Sequence, residues 1–199
     1  MLKLAAALAA VWLFAGATAL AQDVGTLNPK PLPPLANPSD PKLPANQVFG
    51  RAMTPAEAQT RSIGFYSHGC LAGAKALPVD GESWQVMRVS RNRFWGHPAM
   101  IAFLERFSRK AAADGVWPGI LVGDVSQPRG GPMLTGHASH QIGLDADIWL
   151  TPMPDRTLSR EEREAYLGLY GAAIAKAYPR QPSGGVLLPF PRLFVVAAR

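Results

Sequence analysis

Two histidines and two aspartates lie close together near the middle of the chain. They are His137, His140, Asp145 and Asp147. Imidazole nitrogens and carboxylate oxygens both bind zinc, and a catalytic zinc takes three protein ligands and leaves one position for water. The pattern therefore indicates a zinc site in this segment. The alternative is that the aspartates lie in solvent and the histidines cap loops.

The residues that follow the histidines predict a strand. Asp145, Asp147 and Trp149 alternate with apolar residues, which places the three side chains on one strand face. Burying an unpaired carboxylate in an apolar run is costly, so a cation beside these aspartates is favoured over simple burial. The strand would project Asp147 from a fixed backbone, and the glycine-rich loop 126–136 would let His140 fold back beside it.

The elements that must position this segment have their own signals. A proline at the first turn and apolar residues at helical spacing predict a helix over 98–115, with Phe107 on its apolar face. Alternating side chains predict a strand over 84–89, and a short branched apolar run predicts a strand over 120–125. Residues 62–70 are predicted to form a loop. A helix between two strands predicts an α+β domain.

The sequence divides into four segments of different composition. Residues 1–21 predict an export signal, because a lysine precedes an apolar run that ends in a small-residue cleavage site at Ala21; a membrane anchor is the alternative. Residues 22–50 are rich in proline and predict an extended linker without a core. We expect a folded domain over 51–164 and a divergent tail over 165–199.

Composition narrows the functional classes. The 199 residues are 48% hydrophobic and 17% charged, which excludes a disordered polyelectrolyte. The single cysteine, Cys70, excludes an internal disulfide framework and a zinc fold built on several thiols. The net charge of +6 suits an anionic polymer outside the cytoplasm, such as peptidoglycan. A nucleic-acid partner is disfavoured by the export signal and by the dispersed basic residues.

A resemblance to a known family sharpens these expectations. The segment Ser139–Asp147 resembles the Ser-His-x-x-Gly-x-x-x-Asp signature of the LAS metallopeptidases. The wider similarity covers about 61–164 and is closest to the penicillin-insensitive murein endopeptidases. Other matching stretches are Ser62–Gly64, His68–Gly73, Trp84–Arg88, Arg93–Pro98, Gly123–Val125 and Gly136–Gln141. The resemblance implies an antiparallel sheet with flanking helices.

The same resemblance implies an activity and a set of ligands. It implies a periplasmic zinc endopeptidase that opens D-alanyl–meso-diaminopimelyl crosslinks of peptidoglycan, with a water that zinc makes nucleophilic. His140 and Asp147 match the family's zinc pair, and His137 matches a neighbouring metal-binding histidine. No membrane segment is expected after the signal is removed. The alternative function is a non-catalytic module that binds peptidoglycan.

The sequence also departs from the family pattern. The family ends with a His-x-His that supplies the third zinc ligand and a histidine that assists the water, whereas here no histidine follows His140. We therefore expect weak zinc binding and an incomplete sheet, and we favour a frameshift near residue 165 over a genuine short tail. Cys70 matches a family cysteine whose partner belongs to the missing part. His68 and His97 are expected to be structural.

Overall fold

The computed structural model describes residues 25–115, 117–136, 138–164 and 176. The predicted export signal and its cleavage site at Ala21 lie outside the described residues. So does His137, and so does the predicted tail from residue 165 onward apart from Lys176. The following description concerns the unit that ends at Glu164.

Helices and strands alternate irregularly along the described chain. The elements in order are α1 (Ala45–Phe49), β1 (Arg61–Phe65), β2 (His68–Ala72), β3 (Lys75–Ala76), β4 (Trp84–Val86), a 3-10 helix (Val89–Arg91), β5 (Trp95–Gly96), α2 (Pro98–Ala113), β6 (Ile120–Val122) and β7 (Ile148–Pro152). Residues 160–164 are also helical. Helices are combined with small sheets, so the predicted α+β class is confirmed. Among the described helices, none is long and apolar enough to cross a membrane.

The strands form three small sheets. β1 pairs with β2 and β3 pairs with β5, and both pairs are antiparallel. The third sheet has the order β4-β6-β7, in which β6 is parallel to β4 and antiparallel to β7. Among the strand pairs of these sheets, all but β4–β6 have the expected antiparallel direction. Parallel neighbours need a long crossover connection, and α2 lies in the chain between these two strands.

The core lies between the third sheet and α2. All three residues of β4 and all three of β6 are buried, so β4 does not show the alternation expected for a strand with one exposed face. The polar residue of β4, Gln85, has its amide satisfied: its nitrogen donates to the Arg156 carbonyl at 2.8 Å, and its oxygen accepts the Leu158 N–H at 2.7 Å. Ile101 and Leu104 of α2 complete this core.

The predicted helix is confirmed, with a change on its apolar face. α2 ends at Ala113, and Gly115 follows with a left-handed φ of +69° that an L side chain would adopt only with strain. Phe107 does not enter the core: it is 43% exposed and stacks on Phe103. The neighbouring Ser108 is buried instead, where its hydroxyl pairs with that of Ser83 at 2.9 Å.

His97 caps the start of α2. Its Nδ1 accepts the Ala99 N–H at 3.1 Å, one of the helix donors that has no partner within the helix. Replacing His97 with alanine is expected to lower the free energy of unfolding by about 1 kcal/mol, the usual cost of losing such a cap. Replacing it with asparagine should preserve most of the stability. Urea unfolding of both variants checks this, and equal stability of His97→Ala and the original protein would contradict it.

Residues 62–70 form a hairpin, so the predicted loop is wrong. β1 and β2 pair over their full length, with Ile63 opposite Cys70 and Gly64 opposite Gly69. Almost every residue of β1 is exposed, which is why its pattern resembles a loop. Gly69 faces the segment after His140: a side chain there would collide with the Ile142 side chain. The hairpin therefore packs closely against the segment that carries the candidate ligands.

The proline-rich segment contacts the domain at several points. The Thr26 N–H donates to the Ser90 hydroxyl at 3.0 Å, and the Arg160 guanidinium donates to the Leu27 carbonyl at 2.6 Å. Arg51 donates to the Pro33 carbonyl at 2.7 Å. These contacts attach part of residues 25–50 to the folded unit. The domain limits inferred from the sequence stay predictions.

Candidate functional site

The structure brings His140 and two of the predicted acidic residues together. The His140 Nδ1 lies 2.8 Å from Asp145 Oδ2, and its Nε2 lies 3.4 Å from Asp147 Oδ1. The imidazole is buried, with 4% of its side chain exposed, whereas the carboxylates of Asp145 and Asp147 are 36% and 43% exposed. The arrangement is therefore a buried imidazole with a carboxylate at each nitrogen and one side open to solvent.

Asp145 and Asp147 do not lie on a strand, so this part of the strand prediction is wrong. β7 begins at Ile148. The chain turns before it, because the Asp145 carboxylate also accepts the backbone N–H of His140 at 3.1 Å. Asp147 and Trp149 do share a side, since a side chain at Gly123 would collide with Trp149 and come into tight contact with the Asp147 Cβ. The two carboxylates thus reach the imidazole from different directions instead of from one strand face.

The backbone of Asp147 is fixed by the chain that continues β6. Its N–H donates to the Asp124 carbonyl at 2.8 Å, and its own carbonyl accepts the Gly123 N–H at 2.8 Å. Two backbone hydrogen bonds therefore hold this residue although it precedes β7. This supports the part of the prediction that gave Asp147 a fixed backbone.

His140 has an unusual backbone conformation. Its φ is +65°, in the left-handed region that non-glycine residues rarely adopt. The Ser126 hydroxyl donates to the His140 carbonyl, and both groups are buried. The next residue, Gln141, donates its N–H to the Tyr66 carbonyl at 3.0 Å. Hydrogen bonds on both sides therefore hold the histidine in this conformation.

The charges around His140 alter its protonation. Burial lowers the pKa of the imidazole, but the hydrogen bond to Asp147 and the negative charges of Asp145, Asp147 and Asp124 outweigh it. The net result is a pKa raised above the usual value for histidine. The two carboxylates that flank the imidazole therefore stabilise its protonated form.

The geometry at Nε2 fits a metal ion. Two ligand atoms that each lie about 2.0–2.1 Å from a tetrahedral zinc are about 3.4 Å apart. The separation between His140 Nε2 and Asp147 Oδ1 is 3.4 Å, longer than an ordinary charge-assisted hydrogen bond of about 2.7–2.9 Å. The contact of Nδ1 with Asp145 is the carboxylate–histidine arrangement usual behind a metal-ligating imidazole.

The site as described contains two ligands in position, not three. Within residues 25–115, 117–136, 138–164 and 176, no group of three or more His, Cys, Asp or Glu side chains is arranged to hold a metal ion. Asp145 lies against Nδ1, on the far side of the imidazole from Asp147. His137, the other predicted ligand, lies outside the described residues. The predicted set of His137, His140 and Asp147 stays a prediction.

The remaining histidines and the cysteine lie in other elements. His97 caps α2 through its Nδ1. His68 is exposed at the start of β2, opposite Phe65. Cys70, in the same strand, is partly buried and carries a free thiol. These placements agree with a structural role for His97.

Next to the site lies a buried cluster of charged side chains that is not among the predictions made from the sequence. The Asp124 carboxylate lies 2.9 Å from an Arg91 nitrogen and 3.0 Å from an Arg93 nitrogen, with all three side chains almost fully buried. Arg93 also donates to the Thr135 carbonyl at 2.8 Å. The available signal is an aspartate that follows the apolar run 120–122 after a single glycine, since such a residue needs a cationic partner when it is buried.

Comparisons with known proteins agree with the resemblance found in the sequence. A family model described as penicillin-insensitive murein endopeptidase matches residues 62–171. A protein of that name from Haemophilus influenzae is 54% identical over 104 residues, which cover 52% of this chain and 36% of the relative. One from Escherichia coli O1:K1 is 45% identical over 96 residues, which cover 48% of this chain and 35% of the relative.

These matches define the extent of the similarity. The chain spans about a third of the length of these relatives. The matched part contains the β1–β2 hairpin, α2 and the segment that joins β6 to β7, and therefore includes His140 and Asp147. More than half of the chain is matched by the family model, and the chain belongs to the penicillin-insensitive murein endopeptidase family.

Proposed function

We propose that this chain is a zinc-dependent peptidoglycan hydrolase of the periplasm. Its substrate is the D-alanyl–meso-diaminopimelyl crosslink between peptide stems. The observation that carries the proposal is the pairing of His140 Nε2 with Asp147 Oδ1 at 3.4 Å, inside the part of the chain that matches the murein endopeptidase family. The export signal predicted at residues 1–21 supports an extracytoplasmic location.

The side chains at the site have separable tasks in this proposal. When bound, zinc supplies Lewis-acid chemistry, polarising the scissile carbonyl and activating a water. His140 provides Nε2 as a ligand, and Asp147 provides a carboxylate oxygen. The Asp145 carboxylate would accept a hydrogen bond from Nδ1–H, which leaves the lone pair of Nε2 available to a metal held beside Asp147. The exposed side of Asp147 leaves room for a peptide to approach.

For these 199 residues taken alone, the expected activity is low. The family pattern includes two later histidines, and the sequence has none after His140. One of them would complete the zinc ligands, and the other would assist the water. Loss of a group that moves a proton in the transition state commonly costs about 100- to 10,000-fold in rate. We therefore expect zinc binding that is weak and cleavage that is slow but metal-dependent.

Zinc binding and muropeptide release test this proposal together. The purified chain should take up zinc in equilibrium dialysis and slowly release uncrosslinked muropeptides from isolated sacculi. A chelator should stop the release, and added zinc should restore it. Release that continues in chelator would exclude the metal-dependent mechanism. Binding to sacculi without any release, at every zinc concentration, would replace the hydrolase with a non-catalytic peptidoglycan-binding module.

A further inference from the structure

The segment Asp124–Ser126, which continues β6, contacts both halves of the candidate ligand pair. At one end the Asp124 carbonyl accepts the Asp147 N–H at 2.8 Å. At the other end the Ser126 hydroxyl donates to the His140 carbonyl. The two ligand-bearing residues are separated by a turn without regular structure, so this segment is their shared support. Its position therefore affects the distance between the imidazole and the carboxylate.

The support is itself held tightly. Asp124, Val125 and Ser126 are all buried. The Arg93 carbonyl accepts the Val125 N–H at 2.7 Å and the Ser126 N–H at 3.2 Å, while the Ser126 carbonyl accepts the Trp95 N–H at 3.1 Å. The Ser126 hydroxyl is consequently presented from a backbone fixed on both sides. A hydroxyl in such a place can impose a conformation on its acceptor.

The acceptor needs such a constraint. The left-handed φ of +65° at His140 is strained for a residue with a Cβ, and such conformations persist only where the surroundings enforce them. Without the Ser126 hydroxyl the buried His140 carbonyl would also lose this partner. Relaxation of the His140 backbone would move Nε2 away from Asp147.

We propose that Ser126 is a positioning residue, whose hydroxyl holds His140 in the left-handed conformation and so sets the spacing between His140 Nε2 and Asp147 Oδ1. The inference rests on the proposed function for its consequence in zinc binding. The local structure does not depend on the proposed function, because the hydrogen bond joins two groups of the chain itself. The two aspects can therefore be measured separately.

The chain offers a matched control for a Ser126→Ala variant. Ser108 is as fully buried as Ser126 and also hydrogen-bonds through its hydroxyl, donating to the Glu105 carbonyl at 3.1 Å. It lies in α2 and pairs with Ser83. Ser108→Ala therefore removes a buried hydroxyl of the same kind without altering the support of the ligands. Ser126→Thr keeps the hydroxyl in place and serves as the conservative variant.

Two readouts test the proposal. In zinc titrations, Ser126→Ala should bind about 10- to 100-fold more weakly than the original protein, as is usual when a group behind a metal ligand is lost. Ser108→Ala and Ser126→Thr should bind zinc with nearly the affinity of the unmodified protein. In the metal-free proteins, amide hydrogen exchange at residues 140–142 should be roughly tenfold faster in Ser126→Ala, and unchanged in Ser108→Ala.

The outcomes separate the two claims. If Ser126→Ala matches Ser108→Ala in both zinc affinity and exchange at 140–142, the positioning role is wrong. If the original chain binds no zinc, the proposed function fails, and the exchange comparison alone decides whether Ser126 holds His140. Faster exchange at 140–142 with zinc affinity unchanged would also overturn the proposal, because the spacing of the ligands would then not depend on this hydroxyl.

Discussion

A His140→Ala variant is expected to lose measurable zinc binding and, with it, all metal-dependent release of muropeptides. His140 provides the only imidazole that the structure places beside Asp147 within residues 25–115, 117–136, 138–164 and 176. Loss of a group that merely supports a ligand costs about 10- to 100-fold in metal affinity, so loss of the ligand itself should cost at least about 100-fold. Isothermal titration with zinc and chromatography of released muropeptides measure both effects.

His68 and His97, which are not among the predicted ligands, provide the controls for this variant. His68→Ala and His97→Ala each remove an imidazole that lies outside the pair formed with Asp147, since His68 is exposed on β2 and His97 caps α2. Both variants should keep the zinc affinity of the original protein. If zinc affinity falls with His68→Ala or His97→Ala and survives in His140→Ala, the zinc site is built on a different histidine.

An Asp124→Asn variant is expected to be destabilised by about 3–5 kcal/mol. The substitution keeps the shape of the side chain but leaves the guanidinium groups of Arg91 and Arg93 without their carboxylate in a buried environment. Removing one partner of a buried ion pair costs this much because an uncompensated charge remains away from water. Typical domains have only about 5–15 kcal/mol of stability, so the loss is a large part of the total. Urea unfolding followed by tryptophan fluorescence measures it.

An exposed ion pair provides the matched comparison. Glu162 contacts Arg156 at 2.5 Å, and the hydrogen bond to Arg156 lowers the pKa of the Glu162 carboxyl to about 2, yet the pair is exposed to solvent. Solvent screening makes such surface pairs nearly neutral for stability. Glu162→Gln should therefore unfold at nearly the same urea concentration as the original protein. Equal destabilisation by Asp124→Asn and Glu162→Gln would show that burial does not govern the contribution of the Asp124 cluster.

Elements with strong local signals could be predicted from the sequence. The helix α2 was predicted because proline at its first turn and the spacing of Ile101 and Leu104 are local features. β6 was predicted because a short branched run is buried on both faces. The family signature likewise needs only the order of residues, and it selected His140 and Asp147, which the structure places together.

Features that depend on distant partners could not be predicted. In the hairpin of β1 and β2, most residues of β1 are exposed. The residues of β1 therefore lack the alternation of apolar and polar side chains that indicates a strand. The turn at Asp145 follows from a hydrogen bond to the backbone of His140, which no periodicity shows. Helical spacing predicts Phe107 on the apolar face, whereas the buried position belongs to Ser108, whose hydroxyl pairs with that of Ser83.

The segment from Gln141 to Asp147 is irregular, but it is attached to three different elements. Gln141 bonds to the turn and second strand of the β1–β2 hairpin, Gly143 accepts the His97 N–H at the start of α2, and Asp147 bonds to the end of β6. A protease must pull a stretch of chain out of the fold before it can cut. Cleavage within this segment therefore requires that the hairpin, the helix and the sheet release it together. Among the described residues, digestion should begin elsewhere, at the exposed residues 28–31, and the ligand-bearing segment should stay intact until the unit that ends at Glu164 opens.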